Sequence, residues 1–210
     1  MLKLIHGVID RFFAMPPYDI AAALIFVSWM VQAEIRFGAK ARATRAGPSD
    51  RGSTIALSVA SAVPMIGFIF AMQGRVPVTL PAMPAAAWVG VTLGAFGSAL
   101  RLWSLLVLRE RFTRTLLLQH AHQIERDGPY RFVRHPGYLG SLLCLNSLAL
   151  TSGNTLVLVA SMVITCAGYG YRIRVEEAML TSAFGETYES YRRSTRALIP
   201  WPFSVGTRRH

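Results

Sequence analysis

Formal charge is missing from this chain in long, uninterrupted blocks. Residues 52–74 contain no Asp, Glu, Lys or Arg over 23 positions, residues 76–100 none over 25, and residues 135–171 none over 37. A helix needs about 20 mainly apolar residues to cross the ~30 Å hydrocarbon layer of a bilayer. The first two blocks each fit one crossing, and the third fits two helices joined by a turn. Charged residues are 16% of the chain and hydrophobic residues 52%, against roughly 25% charged in ordinary soluble domains. The pattern argues against a soluble enzyme and predicts an all-α, polytopic integral membrane protein with about five transmembrane helices.

The expected spans are residues 18–33, 54–72, 85–108, 138–149 and 155–171. The segment Thr151-Ser152-Gly153-Asn154 between the last two reads as the tight turn of a helical hairpin. The fourth helix is too short to cross untilted, so it is expected to be buried among its neighbours or to lie partly outside the hydrocarbon. Upstream, LKLIHGVIDRFF at residues 2–13 reads as an amphipathic helix in the interface rather than a cleaved signal. Cys144 and Cys166 both fall inside apolar helices and are expected to be buried, unpaired small hydrophobes. No metal site is expected.

Basic residues mark one side of the membrane. Residues 36–51 hold five Lys or Arg, residues 109–134 six Arg and the tail from Arg172 seven, whereas residues 73–84 hold Arg75 alone and residues 151–154 no charge. By the positive-inside rule the three basic stretches face the cytoplasm, with the N-terminus outside and the C-terminus inside. This accounts for the net charge of +11 without nucleic acid, and attraction to anionic lipid headgroups follows from it. The expected division is an N-terminal membrane region, 1–108, and a catalytic region, 109–210.

Two polar blocks stand on that cytoplasmic side: HAHQIERDGPYRFVRHPGYLG at residues 120–140 and YRIRVEEAMLTSAFGETYESYRRSTRALIPW at residues 171–201. The hairpin between them brings its own two ends together, so both blocks can line one pocket at the membrane surface. Gly128-Pro129-Tyr130 reads as a tight turn. Pro136 suits the first turn of a helix, whose free N–H groups, with Arg131 and Arg134 nearby, suit a carboxylate or another anion. Tyr130 and Tyr138 fit either headgroup-level aromatics or the walls of an adenine-sized slot.

In the second block, Glu176 and Glu177 are adjacent acids directly after a charge-free hairpin. Arg172 precedes Glu176 by four residues and Arg174 precedes Glu177 by three, both helix-neighbour spacings. Side-by-side carboxylates at an interface repel unless a cation is present, and a ligand's ammonium or sulfonium meets that need. Leu180, Phe184, Tyr188 and Tyr191 repeat at helical spacing, predicting one amphipathic helix that closes over the pocket or lies on lipid. Arg101, in the third span, either snorkels to the cytoplasmic interface or faces the bundle interior, where it meets an anion; Glu34 is a candidate partner.

Together, H-x-I-x-x-x-G-P-Y-R-x-V-R-H-P-x-Y-x-G from His122 to Gly140 and R-x-x-x-E-E-x-x-L-x-x-x-F-G-E-x-Y-x-x-Y from Arg172 to Tyr191 resemble the isoprenylcysteine carboxyl methyltransferase family. Its wider superfamily includes membrane phospholipid methyltransferases and sterol reductases. The likeness covers residues 99–201. It implies a membrane enzyme that takes S-adenosyl-L-methionine into a C-terminal cytosolic pocket and methylates a lipophilic acceptor entering from the bilayer. It also implies that His122, Ile124, Tyr130, His135, Pro136, Tyr138, Glu176 and Glu177 border the cofactor, and that Arg172 steers the acceptor, with Arg101 a second candidate. Glu125, Arg109 and Ser194–Thr195 depart from the family's usual residues.

The acceptor expected is a carboxylate, as in an isoprenylcysteine; the alternative is a phospholipid or other lipid amine. An NADPH-dependent lipid reductase and a non-catalytic membrane protein are the rival classes. Membrane lipids are the remaining expected partners, with no obligate protein partner.

Overall fold

The computed structural model describes residues 19–20, 23, 52–80, 83–115 and 124–199. The expected interfacial helix, nearly all of the first expected span (18–33) and the basic loop 36–51 lie outside these residues. From residue 52 on, the described residues form five α-helices in order: α1 Ser53–Met72, α2 Met83–Thr115, α3 Pro136–Thr151, α4 Thr155–Phe184 and α5 Glu186–Ser194, with one 3-10 turn at Gly128–Arg131 before α3. Among the described residues the extended pairing is a single parallel bridge between Val133 and Arg196.

Among the described residues three helices are long and apolar enough to cross a membrane, at Ser53–Ala71, Ala85–Leu108 and Thr155–Phe184, and they coincide with the second, third and fifth expected spans. The fourth is α3. Its 16 residues reach about 24 Å, short of the hydrocarbon thickness. The 30 residues of α4 reach about 45 Å, so roughly 20 of them, from Thr155 to near Arg174, suffice for the crossing. Glu176 and Glu177 lie beyond that stretch.

Polarity is distributed as an integral membrane protein requires. Ile55, Phe96, Leu156 and Val163 are all more than 60% exposed, a surface suited to acyl chains rather than water. Inside, Ser161 and Thr165 are fully buried and meet Asn146 of α3: Ser161 Oγ donates to Asn146 Oδ1 at 3.0 Å, and Asn146 Nδ2 donates to Thr165 Oγ1 at 3.1 Å. With little hydrophobic drive between helices in lipid, such bonds and close packing of small residues hold the bundle.

The close packing is most evident between α2 and α3. Gly90, Gly94 and Gly97 stack along α2 against Thr151, Ser147 and Gly140 of α3, and a Cβ on Gly140 would lie 2.6 Å from Gly97 O and 2.8 Å from Arg101 N. Glycine is required there because the two backbones touch. Cys144, on the same helix, stands 3.3 Å from Ser98 Oγ. Cys166 departs from expectation, since it lies on the exposed face of α4.

At the far end of the hairpin, Asn154 caps α4 by accepting from Val157 N at 2.9 Å, and its Nδ2 donates to Pro77 O at 2.8 Å. The N–H groups of Thr79 and Leu80 both donate to Gly153 O at 2.9 Å. This pins the α1–α2 connection to the hairpin tip and leaves the opposite end of α3 and α4 for the polar blocks.

Candidate active site at the open end of the hairpin

Local sequence explains how the first block is shaped. Gly128 takes φ of 57°, which favours glycine, and packs its backbone against Trp103 and Val107 of α2. The 3-10 turn follows, and Pro136 begins α3, where its missing N–H costs nothing. The expected anion site at this helix start is occupied from within. Arg134 N donates to Arg196 O at 2.8 Å, His135 N to Ala197 O at 3.0 Å, and both Tyr138 N and Leu139 N to His135 O.

The anion that reaches Arg134 is Glu177. Arg134 Nε and Nη2 each lie 2.8 Å from Glu177 Oε1, and His135 Nε2 lies 3.2 Å from the same oxygen. Arg192 of α5 approaches Oε2 at 3.6 Å. Arg134 Nη1 also donates to the carbonyls of Arg192 (3.1 Å) and Thr195. Burial disfavours the ionised form of Glu177, but the hydrogen bonds from His135 and Arg134 outweigh it and hold the carboxyl at about 2, down from an ordinary 4.5. In place of the expected Arg174–Glu177 pairing, Arg134, carried over from the turn, takes the carboxylate, while Arg174 stays exposed on α4.

Glu176 turns to a different set of partners. Tyr138 Oη donates to Glu176 Oε2 at 2.5 Å, and Arg172 Nε lies 3.7 Å from that oxygen, one helical turn away as expected. Arg172 Nε also donates to Tyr138 Oη at 3.1 Å, while Nη1 donates to Ser53 Oγ at 2.7 Å. Glu176 Oε1 has no hydrogen-bond partner among the described residues, and the side chain keeps 31% of its surface exposed. The Tyr138 ring stacks on His135, centroids 5.5 Å apart and planes 17° apart, and meets the edge of Tyr169 at 5.7 Å. Tyr130 stands near enough that burial, then the Glu176 charge, pushes its phenol up.

The stripe of Leu180, Phe184, Tyr188 and Tyr191 is not one helix. Gly185, with φ of 52°, breaks it and starts α5 in a new direction. Tyr188 and Tyr191 are then buried over the first block rather than laid on lipid. Tyr191 Oη donates to Tyr130 O at 2.6 Å, and the Arg126 guanidinium sits 5.3 Å over the Tyr191 ring. Beside Glu177 an open groove of about 480 Å³ runs between α4 and α5, lined also by Arg174, Thr181, Glu189 and Arg192.

Of the expected site residues, Tyr130, His135, Pro136, Tyr138, Arg172, Glu176 and Glu177 converge here. Ile124 is half-buried at the start of the described part of the first block. Arg101 lies against Gly140, one turn into α3 from the cluster. His122 lies outside the described residues. Arg134, expected with Arg131 beside an anion at the α3 start, meets the Glu177 carboxylate; Arg192, Tyr169 and Ser53 are not among the expected site residues. Tyr169 sits at helix-neighbour spacing before Arg172, a signal available in the sequence; Ser53 is 119 positions from Arg172 and had none.

Residues 85–187 match the family described as phospholipid methyltransferase. Similar curated proteins include the protein-S-isoprenylcysteine O-methyltransferase of Schizosaccharomyces pombe, 34% identical over 38% of this chain and 34% of that protein. The protein-S-isoprenylcysteine O-methyltransferase B of Arabidopsis thaliana is 25% identical over 59% of this chain and 66% of its own length. Methanethiol S-methyltransferase 1 of Bradyrhizobium diazoefficiens is 35% identical over 36% of this chain and 26% of its own length. The chain thus aligns with less than two thirds of each of these relatives. The matched stretch, residues 85–187, takes in nearly all of α2, the whole of α3 and α4, and both carboxylates, and it is this part of the chain that is similar to the phospholipid methyltransferase family.

Proposed function

We propose that this protein is an S-adenosyl-L-methionine-dependent methyltransferase that esterifies a carboxylate on a lipophilic acceptor reaching the site from the bilayer. The observation that carries the reading is the asymmetry of the two acids. Glu177 is consumed by Arg134, His135 and Arg192, whereas Glu176 keeps Oε1 without a hydrogen-bond partner among the described residues and keeps part of its surface exposed. An exposed carboxylate oxygen beside three aromatic rings fits a ligand that joins an ammonium to a purine.

When bound, the donor supplies a sulfonium methyl: its S–CH₃ bond breaks with the electron pair kept by sulfur, and an acceptor oxygen lone pair forms the new O–CH₃ bond. Glu176 holds the ammonium end, and Tyr130, Tyr138 and His135 wall the adenosine. Ile124 extends that wall, His122 is assigned to the donor by the sequence resemblance alone, and Pro136 sets the start of α3 that carries it. Such an in-line transfer depends mostly on holding the two partners at contact distance. A carboxylate acceptor needs no base, which suits a site whose histidine Nε2 is held by Glu177. Arg172 orients the acceptor carboxylate, with Arg101 next along the α2–α3 seam.

The family description and the methanethiol-named relative support a second reading, transfer to a lipid amine or a small thiol. The division near residue 108 falls inside the continuous helix α2: the upstream region anchors, and residues 109–210, the membrane-crossing hairpin included, carry the catalytic part. The basic segments keep the C-terminal side cytoplasmic. Membranes containing the protein, incubated with methyl-labelled S-adenosylmethionine, test the reading. Alkali-labile label on a lipophilic product is the expected result; alkali-stable label supports the second reading, and no label above membranes lacking the protein contradicts both.

A further inference from the structure

We propose that Ser53, on α1 and outside the family-matched residues, is a positioning residue for the Tyr138–Glu176 pair, acting through Arg172. Its functional consequence rests on the reading of Glu176 given above. Ser53 opens α1 and is fully buried. Its hydroxyl oxygen accepts from Arg172 Nη1 at 2.7 Å, with Thr54 Oγ1 farther off at 3.5 Å. The Nε edge of the same guanidinium donates to Tyr138 Oη at 3.1 Å and stands 3.7 Å from Glu176 Oε2.

A guanidinium is planar and its donors form a rigid fork, so fixing Nη1 fixes where Nε–H points. Ser53 thereby holds Arg172 toward α1, so that Nε serves Tyr138 and stays short of a close ion pair with Glu176. Without that anchor, the tie to α1 is reduced to the longer contact with Thr54 Oγ1 at 3.5 Å, and Arg172 can close on Glu176, one helical turn away. Tyr138 then loses a donor, and Glu176 is neutralised by the protein's own arginine and withdrawn from an external ammonium. Three helices, α1, α3 and α4, are tied at this point, and α1 contributes although it precedes residue 85.

The test uses the full chain in detergent with 3-fluorotyrosine at position 138, compared as Ser53→Ala, Ser53→Thr and Arg172→Lys. The expected result is that Ser53→Ala moves the fluorine resonance in the direction of Arg172→Lys, and Ser53→Thr returns it toward wild type. In parallel, the dissociation constant for S-adenosylmethionine rises about 5–10-fold in Ser53→Ala and recovers in Ser53→Thr. A fluorine resonance unmoved by Ser53→Ala while Arg172→Lys moves it overturns the proposal, whatever the binding data. A resonance that moves as expected in a protein that binds no donor supports the positioning role and contradicts the functional reading instead. If Ser53→Ala does not fold, Ser53→Cys keeps the volume with a much weaker acceptor and gives the same readout.

Discussion

Arg134 and Glu177, 43 positions apart, meet through two guanidinium nitrogens 2.8 Å from one carboxylate oxygen, and this contact joins the turn before α3 to the cytoplasmic end of α4. The same arginine donates to the carbonyls of Arg192 and Thr195, so one side chain fastens the chain's second polar block to its first.

Removing that fastening leaves a carboxylate with its main partner gone. Arg134→Ala is expected to cost about 2–4 kcal/mol, less than for a fully buried pair because Glu177 keeps some solvent contact. Arg134→Lys restores only part of it, since an ammonium lacks the fork. Thermal unfolding in detergent checks both; an unchanged midpoint for Arg134→Ala contradicts the role.

Acid sensitivity follows from the same pair. The folded value of Glu177, about 2, lies below its ordinary 4.5. A depressed carboxyl contributes stability that is fully present above the ordinary value and is lost as pH falls through the folded one. The melting midpoint is therefore expected to decline between pH 4.5 and about 2 more steeply in wild type than in Glu177→Gln. Parallel pH profiles for the two proteins contradict the assignment.

Much of the architecture was legible in the chain. The charge-free blocks located α1, α2 and α4 because, in lipid, hydropathy reports length and placement directly. The hairpin followed from Thr151–Asn154, and Pro136 as a helix start followed from its missing N–H. What was not legible depended on long-range approach. Arg174 was the local partner for Glu177, but Arg134 arrives from another segment with better geometry. Gly185 was read through as part of a continuous stripe, yet its positive φ splits it and turns Tyr188 and Tyr191 inward. Ser53 reaches Arg172 only because α1 and α4 pack closely, with a Cβ on Gly168 only 2.5 Å from Ala60 Cβ.

The hydroxyl of Tyr191 holds the 3-10 turn through Tyr130 O, and burial keeps its phenol up at about 12, so it stays a donor throughout the working pH range. Tyr191→Phe is expected to cost about 1 kcal/mol and to speed amide exchange at residues 130–133. Exchange rates equal to wild type there count against α5 as the cover of the turn.

Helix packing gives a second structural prediction. Gly140→Ala places a methyl against Gly97 O and the backbone of Arg101. Overpacking at a close crossing is expected to cost at least about 1–3 kcal/mol, whereas alanine at Gly170, whose Cβ position is open, is expected to be well tolerated. Comparable midpoints for the two variants contradict the backbone contact.

The division of labour between the adjacent acids is tested most directly by titrating S-adenosylmethionine into wild type, Glu176→Gln and Glu177→Gln in detergent, with unfolding midpoints measured on the same samples. Glu176→Gln is expected to weaken binding about tenfold or more while leaving the midpoint near wild type. Glu177→Gln is expected to lower the midpoint first. Wild-type donor affinity in Glu176→Gln would contradict the account.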